Sequence, residues 1–166
     1  MGTGCSGASA TDRQLVFTSL ADALRELERS GVPTELNPGA TWTWSKTLLH
    51  CAQSIEYSMN GYPQSRSALF QRTAGAAAFS FFKSRSRMSH NLLEAIPGAA
   101  TLDANAAAGV ALAALRKAID TFDKHTGRLH PHFAYGALTK PEYAQAHAMH
   151  IANHLSGFDF KTVRAT

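Results

Sequence analysis

"TKPEYAQAHAMHIANHLSGF", residues 139–158, opens with a helix-start signal and then carries three histidines at spacings of three and four. Thr139 can cap, Pro141 suits the first turn, and Glu142 can reach back to complete a capping box. At about 100° per residue, His147 and His154 fall about 60° and 40° from His150, so all three share one narrow stripe. The apolar residues Ala144, Ala148, Ile151, Leu155 and Phe158 centre roughly 120° from His150, so the stripe borders the buried face. Two readings follow. Imidazoles on successive turns can converge on one cation, as His-x-x-x-His does when a helix supplies two ligands. Alternatively, they are three edge histidines with separate hydrogen bonds.

Upstream of this helix the same periodicity recurs. "SLADALRELERSG" places Leu20, Leu24 and Leu27 at helical spacing, with Ser19 as cap, Asp22 three residues on, and Gly31 and Pro33 as stops. "TWTWSKTLLHCAQSIEYSMNGYP" predicts a second helix with an apolar arc of Trp44, Leu48, Cys51, Ala52, Ile55 and Met59. "SRSALFQRTAGAAAFSFFKSRSRM" reads as helix with a weak point at Gly75, and its Phe70, Phe79, Phe81 and Phe82 as core or dimer contacts. "SHNLLEAIPGAATLD" is an irregular connection. "ANAAAGVALAALRKAIDTFDKH" predicts a further long helix, and "RLHPHFAYGAL" a loop. No strand-like alternation, internal repeat or Gly-rich phosphate loop is present. The expected fold is all-α, a bundle of four principal helices over residues 16–166 behind a flexible tail, residues 1–15.

The chain of 166 residues has a formal net charge of +4 and a pI of about 9.3. That balance is no nucleic-acid signature, and no nucleic-acid partner is expected. Lys83, Arg85 and Arg87 cluster near one helix end, where a basic trio complements the dipole or is solvated; phosphate binding is the sharper alternative. Cys5 and Cys51 form no CxxC pair, and Cys51 lies on an apolar arc as a core residue. No run of eighteen apolar residues appears, so no membrane span is expected. A cytoplasmic location is expected. The small-residue setting of Cys5, "TGCSG", would fit export if a hydrophobic segment preceded it.

A metal needs a ligand beyond the last helix, and His50, His90, His125, His130 and His132 are the candidates. His50 lies about 150° from the centre of its helix's apolar arc, beside Lys46, Ser54 and Tyr57, so periodicity places it in the open. It can meet the other histidines if the site is an open groove, which suits a cation keeping free positions for water or substrate. HExxH is absent, and Glu56 does not make the Glu-x-x-His pairs of a di-iron bundle. G-x-S-x-G is absent too, so a serine hydrolase is unsupported.

"LLHCAQSIEYSMNGYP", "IPGA" and "HPHFAYGALTKPEYAQAHAMHIANHL", in this order, resemble an uncharacterised branch of the DinB/YfiT-like superfamily of metal-dependent proteins, over about residues 15–160. The resemblance implies an up-down-down-up four-helix bundle with one long crossover. It also implies a three-histidine site for a divalent cation, nickel or zinc. Carried over, the ligands are His50, His150 and His154, and His147 becomes a neighbour. A histidine found just before the last ligand in that branch is Asn153 here. His132 matches a recurrent loop and is a pocket candidate, with His147, Ser54 and Tyr57. Some relatives resemble transferases that use low-molecular-weight thiols. The implied function is thus a metal-dependent transferase or hydrolase acting on a small-molecule substrate. A non-catalytic metal- or ligand-binding bundle, closed by His147 or His132 as fourth ligand, is the rival. Glu56 and Asp123 are available to orient the imidazoles. A homodimer through Phe81, Phe82 and the Ala-rich helix is a further expectation.

Overall fold

Ala-rich sequence with few β-branched residues favours helix, and helix is what forms. The computed structural model describes residues 13–30, 35–36 and 42–159. Its five helical rods are α1 (Leu20–Ser30), α2 (Trp44–Asn60), α3, α4 (Ala108–Lys124) and α5 (Lys140–Leu155). Rod α3 runs through Ala68–Phe70, a π-helical turn Gln71–Gly75 and Ala76–Arg85. Among the described residues the protein is all-α but for one antiparallel pair, Glu35–Leu36 against Phe158–Asp159, too short to leave alternation in the sequence. Of the expected tail, residues 1–15, residues 1–12 lie outside the described residues, as do the stops Gly31 and Pro33, while Arg13 and Leu15 make defined contacts with the helices. Arg13 pairs with Glu26, and the Leu15 N–H donates to Ser156 Oγ at 3.1 Å.

The start signals work as their chemistry requires. Asp22 accepts from the backbone N–H of Thr18 (2.8 Å) and of Ser19 (2.9 Å), and Ser19 Oγ accepts from Asp22 N. Chiefly through the Thr18 side chain, this holds the Asp22 carboxyl down to about 2. On α5 the capping box is complete. Glu142 accepts from Thr139 N at 3.0 Å, and Thr139 Oγ1 accepts from Glu142 N. Replacing Thr139 by Ala is expected to cost about 1 kcal/mol in urea unfolding.

Helix α2 lies along α4, and both α1 and α2 lie along α5. One core, with Leu27, Leu48, Ile55, Leu115, Ile119, Phe122, Ile151 and Leu155, joins all four. Each such side chain, fully buried, contributes about 1.5–3 kcal/mol. A smaller cluster, Phe79, Met88, Ala146 and Met149, fastens α3 and its exit to α5. The four phenylalanines of α3 divide: Phe79 is buried and Phe82 half-buried, whereas Phe70 and Phe81 are exposed. The basic trio is solvated or paired: Lys83 meets Glu142 at 3.1 Å and Arg87 meets Gln14 at 2.8 Å.

The expected weak point at Gly75 is where the π-turn ends, and the reason is contact with another segment. Between α4 and α5 the loop folds back on itself, His132 N donating to Gly136 O (2.8 Å) and Gly136 N to His132 O (3.0 Å). Gln71 Nε2 donates to the carbonyls of His132 and Phe133. The Ala134 carbonyl comes so near that a Cβ on Gly75 would sit 2.0 Å from its oxygen. Only glycine lets the two backbones touch there. Gly75→Ala is therefore expected to displace the 130–137 loop and destabilise the protein by about 1–3 kcal/mol in thermal unfolding.

Candidate metal centre

His50 is 2% exposed, which corrects the periodicity reading that put it in the open. The buried residues of α2 include Ser45, Thr47, Ser54 and Ser58 as well as Trp44, Leu48, Cys51 and Ile55. The helix lies against both α4 and α5, and Ser58 on it meets His147 of α5 at 3.3 Å. Hydropathy scores Ser, Thr and His as outward-facing, but small polar side chains can be buried when they find partners. Cys51 is fully buried, and burial pushes its thiol up to about 12, as suits a core residue.

The second wall is the stripe on α5. One ring nitrogen from each of His50, His150 and His154 lies within 4.8 Å of the others. His50 Nε2 and His150 Nε2 are 3.2 Å apart. His50 and His154 are buried, whereas His150 keeps some exposure where it lines a cavity. Trp42 stacks on His154 (centroids 6.0 Å, 14° between planes) and stands edge-to-face to His50 at 5.0 Å. Lys46 Nζ lies 4.3 Å from the Trp42 ring centroid.

Two further residues join this cluster: His90, one of the candidate ligands that the sequence left open, and Trp42, which it did not mark. His90, in the irregular connection, places Nε2 3.3 Å from His154 Nε2. Asn153 Nδ2 donates to His90 Nδ1 at 3.0 Å, so Asn153 positions that imidazole. Periodicity could not find His90 because it lies outside any helix. Trp42, expected within the second helix, precedes its start at Trp44. The sequence signal for both was residue type alone, an aromatic and an imidazole beside helix ends.

The other candidates are placed elsewhere. His147 is buried, with Nε2 3.3 Å from Ser58 Oγ, between Phe122 and Tyr143. His132 binds its own loop through Nδ1. The group of converging ring nitrogens comprises His50, His150 and His154. Ser54 is buried and lines the cavity with His132 and His147. Tyr57 is not a lining residue: its ring lies against Tyr62, which folds back beside it after Gly61 turns the chain at φ 98°. His130 is exposed and His125 half-buried. Glu56 and Asp123 are exposed, and neither side chain is seen to hydrogen-bond an imidazole among the described residues.

Burial holds the cluster neutral. It pushes His50 down to about 4, with His90 and then Lys46 adding repulsion. It takes His150 and His154 well below the usual imidazole range and lowers His90. Neutral imidazoles are the ligating form. Tetrahedral coordination at 2.0–2.1 Å from the metal sets nitrogens about 3.3 Å apart, close to the separation of the His50 and His150 nitrogens. Among the described residues His50 Nδ1 is buried without a hydrogen-bond partner, so that ring is held by packing. The donor set therefore fits a borderline-soft divalent cation.

The sequence profile of the family described as "Protein of unknown function (DUF1569)" matches residues 9–161. The chain belongs to this family. No curated protein and no solved structure matches it. All four clustered histidines, together with Trp42 and Asn153, fall inside the DUF1569 span. No helix among the described residues is long and apolar enough to cross a membrane.

Proposed function

We propose that the protein is a metal-dependent enzyme of the transferase or hydrolase kind that acts on a small molecule, with His50, His150 and His154 as ligands of one divalent cation. One observation carries this reading: ring nitrogens from two separate helices lie within 4.8 Å of one another beside a cavity of about 210 Å³. Nickel and zinc both suit an all-imidazole set. When bound, such a cation would supply Lewis-acid activation of a thiol or water near neutral pH. The chain holds three uncharged donors, so negative charge must come from the reacting ligand, which favours a small thiolate or hydroxide. Trp42 packs against His50 and His154, and His150 lines the cavity from which a ligand would approach. We read the helices as the up-down-down-up DinB/YfiT-like bundle, because α2 and α5 carry the histidines at the positions that resemblance implies.

Titration with nickel and with zinc tests the site. One ion per chain is expected. Unchanged stoichiometry after replacing His50 and His154 together by Ala, with helix content intact by circular dichroism, rejects the proposal.

His90 favours a second reading, a non-catalytic carrier. With the Asn153 amide turned over, Nδ1 of His90 would donate and Nε2 would be free to ligate. X-ray absorption distinguishes the two. Three nitrogens plus an exchangeable oxygen support the enzyme, and four nitrogens support the closed carrier. Pairing of two chains is a separate proposal, based on the exposed rings and side chains of Phe81 and Val110; sedimentation at two concentrations tests it.

A further inference from the structure

The loop that docks on α3 holds an imidazole in one fixed state. His132 Nδ1 accepts from two backbone N–H groups, those of Ala134 (3.1 Å) and Tyr135 (3.2 Å). A nitrogen facing two donors presents its lone pair, so in the neutral ring the hydrogen is on Nε2. The ring is clamped as well. It stacks on Tyr135 (centroids 4.3 Å, 7° between planes) and lies against Phe133 (4.5 Å) and Tyr62 (5.2 Å). The loop itself is bolted by the Gly136 bridge and by Gln71. Nε2 is neither bonded to any described group nor sealed from contact, and His132 lines the same cavity as His50, His90 and His150.

We propose that His132 Nε2–H is a preset hydrogen-bond donor for an acyl oxygen of the substrate, a small molecule with a carbonyl or carboxylate group on an apolar body. This deepens the proposed function and rests on its reading of the cavity as a substrate pocket. The apolar walls are Phe70, Met88, Ile96, Phe133 and Ala146. Exposed Arg66, also on the lining, suits the carboxylate form. An unbonded donor held in place before the ligand arrives stabilises oxygen charge without reorganisation. Burial, with His147 and His90 nearby, pushes His132 down to about 3, so it donates this hydrogen at neutral pH without becoming charged.

Two substitutions separate the ring's two jobs. In His132→Asn the amide oxygen can take the place of Nδ1 and keep the loop closed, while nothing stands at Nε2. His132→Gln can put an N–H near Nε2 but leaves the loop donors unserved. Butyrate and butyramide serve as probes of the charged and neutral oxygen, with butanol as control. In nitrogen-edited NMR of the unsubstituted protein at pH 7, the hydrogen is expected on Nε2. Both acyl probes should shift that signal, and butanol should not. Their binding should weaken roughly five- to tenfold in His132→Asn and much less in His132→Gln. A hydrogen found on Nδ1 overturns the proposal. So does an unmoved Nε2 signal at 50 mM probe (roughly the limit for so small a ligand), or equal binding by His132→Asn. Zinc stoichiometry, measured on the same samples, reports separately on the metal reading: its failure leaves the NMR result standing, and an unchanged stoichiometry in His132→Asn shows that the site is intact.

Discussion

Lowering the pH from 7 to 5 is expected to remove about 4 kcal/mol of stability from the metal-free protein through His132 and His147 alone. Burial pushes each of them from the ordinary 6.5 to about 3. The folded state therefore stays unprotonated through a range where the unfolded chain takes up protons. Above pH 6.5 both states are neutral and nothing is lost. Below it the penalty grows with each unit, and it levels off only near pH 3. At pH 5 each group costs about 2 kcal/mol, a large part of the 5–15 kcal/mol that holds a typical domain together. His50, His90, His150 and His154 shift in the same direction, so in the absence of metal they steepen the loss. Carboxylates such as Asp22, held down to about 2, add to it only below about pH 4. Urea unfolding between pH 7 and 5 isolates the imidazoles. At least two protons should be taken up on unfolding near pH 5, and a flat profile would contradict the burial of these rings.

The helices were legible because their start signals and apolar spacing are local. Ser19 with Asp22, and Thr139 with Glu142, close the caps that the sequence advertises. Gly75 was legible as a weak point, but its cause, the carbonyl of Ala134, is 59 residues away in sequence and no window around Gly75 contains it. The ligand stripe on α5 was legible for the same local reason. His50 was misplaced by periodicity, because a helix buried on two sides has no single polar face. The resemblance placed it where the spacing did not. His90 could be named only as one candidate of five and Trp42 not at all, since their positions depend on how irregular segments close over the groove. Asn153, which the resemblance implied only as the replacement of a histidine, hydrogen-bonds another one.

Saturating zinc is expected to raise the melting temperature by about 8–16 °C when the free metal exceeds its dissociation constant a thousandfold, since binding only the native state then adds about 4 kcal/mol. His154→Ala should abolish nearly all of that increment. His147→Ala supplies the informative contrast. The two histidines share one stripe of α5 and are similarly buried, so both substitutions leave a cavity and lower the starting temperature. Their nitrogens serve different partners: His147 Nε2 meets the hydroxyl of Ser58, which itself donates to the Ile55 carbonyl, while a nitrogen of His154 belongs to the group with His50 and His150. His147→Ala should therefore keep the zinc increment on a lower baseline. Equal loss of the increment in both variants would mean that the stripe as a whole, and not the convergence of three particular nitrogens, binds the ion. Because each variant is compared with and without zinc, the general cost of removing a buried ring cancels, and what remains is the geometry of the site.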